Sequence, residues 1–242
     1  MTIVIIGASA GVGRALGRAL AAKGHALFLV ARNAQDLDAE ARHLTTMHGA
    51  EIAWAAADAA DPAALVEALR GLAGKPIRHL LFPLGLIEEN DDGGLDAAAI
   101  RRLVDVNLTS VMAVTALLLP RMLEAKGGTI VGFGSVAAIR GRGSNIAYAA
   151  AKRGLESYFE RLRHRLAPTG VAVQFYRLGY VASQMSFGKK LPFPAIGPEQ
   201  VAAHVTRHLG RDQGLRHLPR YWAGIGAVVT ALPWFVYRRL KF

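Results

Sequence analysis

Short β-branched apolar runs alternate along this chain with longer stretches whose apolar residues recur at helical spacing. Thr2 to Ile6 has the length and type of a buried strand. Comparable runs follow at Ala26–Val30, Glu51–Ala57, Ile77–Leu84, Thr129–Phe133 and Val171–Tyr176. Helical patterns fill the gaps: through Leu16 and Leu20, after Asp61-Pro62, across Asp96–Lys126 as one long or kinked helix, over Asn145–Leu166, and from Pro198 onward. Six strands alternating with helices predict an α/β fold, a doubly wound parallel sheet with helices on both faces. The pattern places this single domain at residues 1–218 and leaves residues 219–242 as an apolar and basic helical tail.

The first strand runs into Gly7-Ala-Ser-Ala-Gly11-Val-Gly13 and then a helix. Glycines there permit a tight turn and let a pyrophosphate approach the helix N-terminal amides, so the fold is expected to be Rossmann-like and to bind a dinucleotide. The second strand ends at Ala31-Arg32-Asn33, where such folds meet the adenosine ribose. An arginine suits the 2′-phosphate of NADP, and Arg14 could add a second charge. Asp58 ends the third strand, either to bind the adenine amino group or as a turn residue before a helix. Gly85, after the fourth, would let the cofactor lie against the backbone.

Candidate chemistry gathers in Gly134–Lys152. Ser135 follows the fifth strand, Tyr148 comes thirteen residues later, and Lys152 is four further on. Tyr148 and Lys152 share one helix face. An ammonium beside a phenol is expected to lower its pKa and make it a general acid or base near neutrality. Tyr237 and Lys241 repeat the spacing without a glycine loop or serine upstream and are set aside. Asn107 interrupts an apolar helical stretch, Val104–Leu108, and either caps a local break or relays protons. The small face at Ala147, Ala149–Ala151 and Gly154 suits a subunit contact or ordinary packing.

Composition narrows the partners. The 242 residues suit one large domain, and 52% are hydrophobic. No cysteine is present, which excludes disulfides and thiolate chemistry. Twenty-nine Lys and Arg against 18 Asp and Glu give a formal charge of +11, favouring anionic partners. Nucleic acid is not expected, because no basic stripe is interleaved with aromatics. The N-terminus lacks a basic region and reads as a strand, not a signal peptide. Tyr221–Tyr237 is nearly free of charge, is divided by Pro233, carries Trp222 and Trp234, and precedes Arg238, Arg239 and Lys241. Two readings stand: short helices on a membrane surface, or a helix pair packed on the domain or across a dimer. The expected setting is cytoplasmic, peripheral at the inner face of the cytoplasmic membrane on the first reading.

Taken together, Gly7-x-x-x-Gly11-x-Gly13, Asp58, Asn107, Ser135, Tyr148 and Lys152 resemble the short-chain dehydrogenase/reductase pattern over residues 1–215. The resemblance implies a catalytic tetrad of Asn107, Ser135, Tyr148 and Lys152. It implies NADP(H) held by Gly7, Ser9, Gly11, Val12, Gly13 and Arg14 at the first turn, and by Arg32, Asn33 and Asp58 at the adenosine end. Gly85, Tyr148, Lys152, Gly179, Val181 and Ser183 would complete its site. It also implies a homodimer or homotetramer. Three positions depart from the pattern: Ile6 replaces the usual threonine, Phe82-Pro83-Leu84 replaces Asn-Asn-Ala, and Leu178 replaces proline.

Within the family, Leu84-Gly85-Leu86, Arg140, Arg142, a lid over Gln184–Gly197 around Met185 and Lys190, and the Leu232-Pro233 tail are most similar to reductases acting on decaprenylphosphoryl-2-keto-pentose. This implies reduction of a ketone on a lipid or lipid-linked sugar, with Arg140, Arg142 and Met185 on the substrate side and no metal. A 3-keto acyl or keto-sphingoid reductase uses the same tetrad, and a catalytically silent dinucleotide-binding protein is the alternative outside enzymes.

Overall fold

The computed structural model describes residues 1–183, Gly188 and residues 191–240. Seven parallel strands form one sheet: β1 (Thr2–Ile6), β2 (Ala26–Ala31), β3 (Ile52–Ala56), β4 (Ile77–Phe82), β5 (Gly128–Ser135), β6 (Val171–Leu178) and β7 (Gly214–Leu218), in the order β3-β2-β1-β4-β5-β6-β7. The order reverses between β1 and β4, and doubly wound sheets open their ligand crevice at such a switch point. The seventh strand corrects the count of six. Its sequence, GLRHL, exposes Leu215 and Arg216 and pairs on one side only with β6, so it has no continuous apolar run.

Strand residues alternate between two cores, as the pleat requires. Val4 and Ile6 of β1 point to the face packed by α3 (Pro62–Ala68), α5 (Ser110–Glu124) and α6 (Ile146–Leu166), through Leu65, Val114, Leu118, Leu155 and Phe159. Ile3 and Ile5 point to the opposite face, covered by α1 (Gly11–Ala21), α2 (Ala34–His48) and α7 (Pro198–His208), through Leu16, Leu20, Leu44 and Val205. Each such side chain contributes about 1.5–3 kcal/mol by leaving water, so the strand ends are held on a rigid base.

The long helical stretch is broken, as its buried asparagine suggested. Helix α4 (Ala97–Val104) passes into α5 through a π-helical turn at Asp105–Thr109. Asn107 Nδ2 donates to Leu103 O at 2.9 Å, replacing a bond the widened turn disturbs. Among the described residues one helical stretch, Ala97–Glu124, is long and apolar enough to cross a membrane, and 44% of its apolar window is buried inside the fold. After β7 come α8 (Trp222–Ala231) and the single turn α9 (Trp234–Tyr237).

Candidate active site

A cleft of about 610 Å³ lies across the C-terminal ends of the strands, lined by the turns after β1, β2, β4, β5 and β6. At one end, Gly7 leaves β1 with φ +98°, a conformation that favours glycine. Its amide and that of Ala8 both donate to Val30 O, which ties the turn to β2. A Cβ on Gly13 would fall 1.9 Å from Gly7 O, so only glycine lets α1 start this close to the turn. Ala10, at the N-cap of α1, provides no side-chain acceptor for the first-turn amides.

At the other end, Ser135 arrives from β5, and its hydroxyl accepts from Ala137 N at 3.1 Å. Tyr148 and Lys152 lie in the first two turns of α6, 7% and 3% exposed. Lys152 Nζ donates to Leu84 O at 2.8 Å and Phe133 O at 3.0 Å, the main chain at the ends of β4 and β5. It sits 6.0 Å from the Tyr148 ring centroid. The titration behaviour differs from the expectation. Burial pushes the Tyr148 phenol up, and its hydrogen bond with Ser135 only partly offsets that. Burial likewise pushes Lys152 down to about 7. Burial therefore favours the neutral form of both groups, and the pair's spacing alone does not lower the phenol's pKa.

Asn107 is fully buried below this end. Its Nδ2 donates to Leu86 O at 2.9 Å and its Oδ1 accepts from Leu86 N at 3.2 Å. The side chain pairs with Leu86 as a neighbouring strand would, and so fixes the segment that carries Leu84 O.

One residue that sequence reasoning missed holds α6 in place. Asp91 is 4% exposed, and its Oδ1 and Oδ2 accept from Ala147 N and Tyr148 N, both at 2.8 Å. Its main-chain oxygen accepts from Ile146 N at 3.0 Å. Asn145, next to the helix, is left-handed and makes no side-chain cap. A carboxylate more than fifty residues away in sequence thus supplies the cap that the local chain lacks.

The family description short chain dehydrogenase matches residues 1–190. An uncharacterised oxidoreductase of Mycobacterium tuberculosis is 32% identical over 98% of this chain and 96% of its own length. The chain belongs to the short-chain dehydrogenase family. A very-long-chain 3-oxoacyl-CoA reductase of Anas platyrhynchos is 29% identical over 95% of this chain and 75% of its own. Among solved structures, a short-chain dehydrogenase from Sphingobium yanoikuyae in complex with NADPH has a TM-score of 0.85 at 25% identity, covering 100% of this chain and 96% of the other. The protein is thus an oxidoreductase of the short-chain dehydrogenase family with a dinucleotide-binding fold.

The residues at the glycine-turn end fit such a cofactor. The cradle at Gly7, Gly11 and Gly13 has no Cβ to fill it, and the first-turn amides of α1 have no side-chain cap. Ser9, Val12, Arg32, Asp58, Gly85, Gly179, Val181 and Ser183 also line the cleft. Asp58 additionally accepts from Ala60 N at 2.9 Å.

Other expected residues lie elsewhere. Arg14 is not in the cleft lining. Its Nε is 3.8 Å from Glu40 Oε2 and makes no hydrogen bond, while Arg18 takes the same carboxylate with two bonds of 2.7 and 3.0 Å. Asn33 is also absent from the lining, and its side chain caps α2 through Gln35 N and Asp36 N. Arg142 lines the cleft, but Arg140 does not: its guanidinium donates to Val229 O and Leu232 O at the end of α8, both at 2.6 Å. Arg102, from α4, also lines the cleft. Its exposed, charged helix face gave no sequence sign of this. Met185, Lys190 and Lys241 lie outside the described residues, as does much of the expected lid. Leu191 is described and lines the cleft.

Gly179 shows a further constraint. A Cβ there would lie 2.0 Å from Trp222 Nε1, so the loop after β6 can lie on the tail only as glycine.

Proposed function

We propose that the protein reduces a ketone to a secondary alcohol, with NADPH as reductant, on an amphiphilic substrate that bears an anionic group. One observation carries the reading. Tyr148, Ser135 and Lys152 line a cleft whose charged lining is Arg32, Arg102, Arg142 and Lys152 against Asp58 alone, among the described residues.

Tyr148 acts as the general acid. Its phenol, kept protonated by burial, gives its proton to the substrate oxygen as negative charge develops there. The Ser135 hydroxyl donates to the same oxygen and stabilises that charge. A reduced nicotinamide, when bound, supplies the hydride needed at the carbonyl carbon. Lys152 returns a proton toward Tyr148, a task suited to a group that titrates at about 7 and is aimed by two fixed carbonyls. Asn107 steadies the Leu84–Leu86 segment, and the relay role implied for it belongs to this same proposal.

The substrate class follows from the lining. Arg102 and Arg142 offer guanidinium groups to a phosphate or similar anion. Leu86, Ile87 and Leu191 offer apolar surface. A lipid-linked keto-sugar and a 3-oxoacyl thioester both meet this demand, whereas a keto-sphingoid lipid meets only its apolar part. The name of the 3-oxoacyl-CoA reductase relative supports the acyl reading. The complete set of proton-transfer groups speaks against a silent nucleotide-binding protein. A homodimer or homotetramer through the small face of α6 is part of the proposal.

NADPH is preferred over NADH in this reading because Arg32, just past β2, lines the cleft. Fluorescence titration with both nucleotides, on the natural protein and Arg32→Glu, tests it. NADPH should bind at least tenfold more tightly than NADH, and Arg32→Glu should weaken NADPH by about tenfold to a hundredfold, from the ~1.5–3 kcal/mol of a charged hydrogen bond, with NADH unaffected. Equal affinities untouched by Arg32→Glu would remove the NADP assignment. No binding of either nucleotide would remove the enzyme reading.

A further inference from the structure

The segment after β7 presents two unlike faces. Its inner face is clamped to both loops that flank the cleft. Trp222 is 7% exposed and lies under Gly179. Gly226 meets Ile139, where a Cβ would stand 3.0 Å from Ile139 Cδ1. Arg140 holds the C-terminal carbonyls of α8, Val229 O and Leu232 O, and its guanidinium carbon lies 4.0 Å over the Tyr237 ring centroid. The Tyr237 hydroxyl donates back to Gly141 O at 2.9 Å. Helix carbonyls capped by a guanidinium, with an aromatic ring stacked on it, form a fixed attachment.

The outer face is apolar and rimmed by cations. Val228, Trp234 and Phe235 are 63%, 66% and 61% exposed, and Pro233 is exposed beside the two aromatics. Single exposed apolar residues are ordinary, but two large aromatics exposed side by side in the chain mark an interaction surface. Arg238 and Arg239 are exposed next to it. No Asp or Glu follows Asp212 in the chain, whereas Arg216, Arg220, Arg238, Arg239 and Lys241 do.

We propose that this outer face docks on an anionic lipid bilayer. Trp234 and Phe235 enter the boundary between headgroups and acyl chains, and Arg238 and Arg239 meet lipid phosphates. The patch combines Trp and Phe with arginines, which suits an apolar layer beneath a negative surface. A second copy of this chain is the poorer occupant. A two-fold contact would bring like-charged rims together with no acid in the segment to pair them. One face of the tail packs on the domain, and the other faces outward. Since the inner face holds Gly179 and Ile139–Gly141, docking would set the cleft against the bilayer. The proposal goes beyond the catalytic reading and does not rest on it, since lipid binding is measured without substrate.

Sedimentation with phosphatidylcholine vesicles, with and without 30% phosphatidylglycerol, tests it. The natural protein should favour the anionic vesicles, and raised salt should release it. Arg238→Gln with Arg239→Gln should weaken binding by about thirty-fold, at ~1 kcal/mol per cation. Trp234→Ser with Phe235→Ser should weaken it by about tenfold or more. Both pairs are at the surface, so melting temperature and nucleotide affinity should not change. No binding of the natural protein to anionic vesicles would overturn the proposal, as would undiminished binding by the Trp234/Phe235 variant. Light scattering gives a third test: conversion of an oligomer to a smaller species by that variant would assign the patch to a second copy instead.

Discussion

Replacing Asp91 separates the cap of α6 from the chemistry that α6 carries. Asp91→Asn keeps one acceptor oxygen and turns the other position into an NH2 that faces a backbone N–H. One of the two 2.8 Å bonds is therefore lost. A hydrogen bond to a charged group contributes about 1.5–3 kcal/mol, and the favourable placement of a carboxylate at a helix N-terminus adds about 0.3–1 kcal/mol. The expected cost of Asp91→Asn is about 2–4 kcal/mol. At roughly 2–4 °C per kcal/mol for a chain of this size, Tm should fall by about 4–16 °C, and further in Asp91→Ala. Tyr148 N is one of the two donors, so fraying of this turn displaces the phenol. Displacements near 1 Å cost about a hundredfold in rate, so kcat should fall by at least about tenfold while nucleotide affinity holds. Calorimetry and steady-state kinetics on both variants provide the readings. If Asp91→Ala melts within 1 °C of the natural protein and keeps its kcat, the cap does not position Tyr148.

Two further outcomes follow from the site. Folded Lys152 releases its proton at about 7, whereas in the unfolded chain it holds the proton to about 10.5. The unfolded state binds more protons between those values, so stability rises with pH across that window, by at most ~1.4 kcal/mol per pH unit. Urea midpoints from pH 7 to 9.5 should climb in the natural protein and flatten in Lys152→Met; identical slopes would refute the buried-amine assignment. Gly179→Ala should push Trp222 off the loop, raise tryptophan fluorescence accessibility to quencher, and lower nucleotide affinity; an unchanged quenching profile would refute the contact.

β1 was legible because it is fully buried and apolar: it matches its predicted ends, and Ser135 does stand at the end of the largely buried β5. The i,i+4 pair of Tyr148 and Lys152 was legible because helical spacing is local. What could not be read depends on partners distant in sequence. Asp91 resembles any loop carboxylate until α6 is folded against it. Arg140 resembled a substrate ligand because its true acceptors, Val229 O and Leu232 O, are backbone groups that leave no trace in side-chain patterns. Arg102 sits on a helix face that reads as solvated, and β7 is a short edge strand with charged residues. The pKa directions were also hidden, since they are set by burial rather than by the spacing of the pair.

The central claim is that Tyr148 donates a proton while hydride reaches a ketone carbon in this cleft. The most direct measurement is deuterium transfer from 4-deuterated NADPH to a long-chain 3-oxoacyl thioester and to a phosphorylated lipid ketone, read by mass spectrometry. The account predicts one deuterium at the new carbinol carbon with the natural protein, and loss of at least about a hundredfold in rate with Tyr148→Phe, in the range removed with a general acid. Nucleotide that binds yet transfers no deuterium to either ketone, or transfer undiminished in Tyr148→Phe, would contradict it.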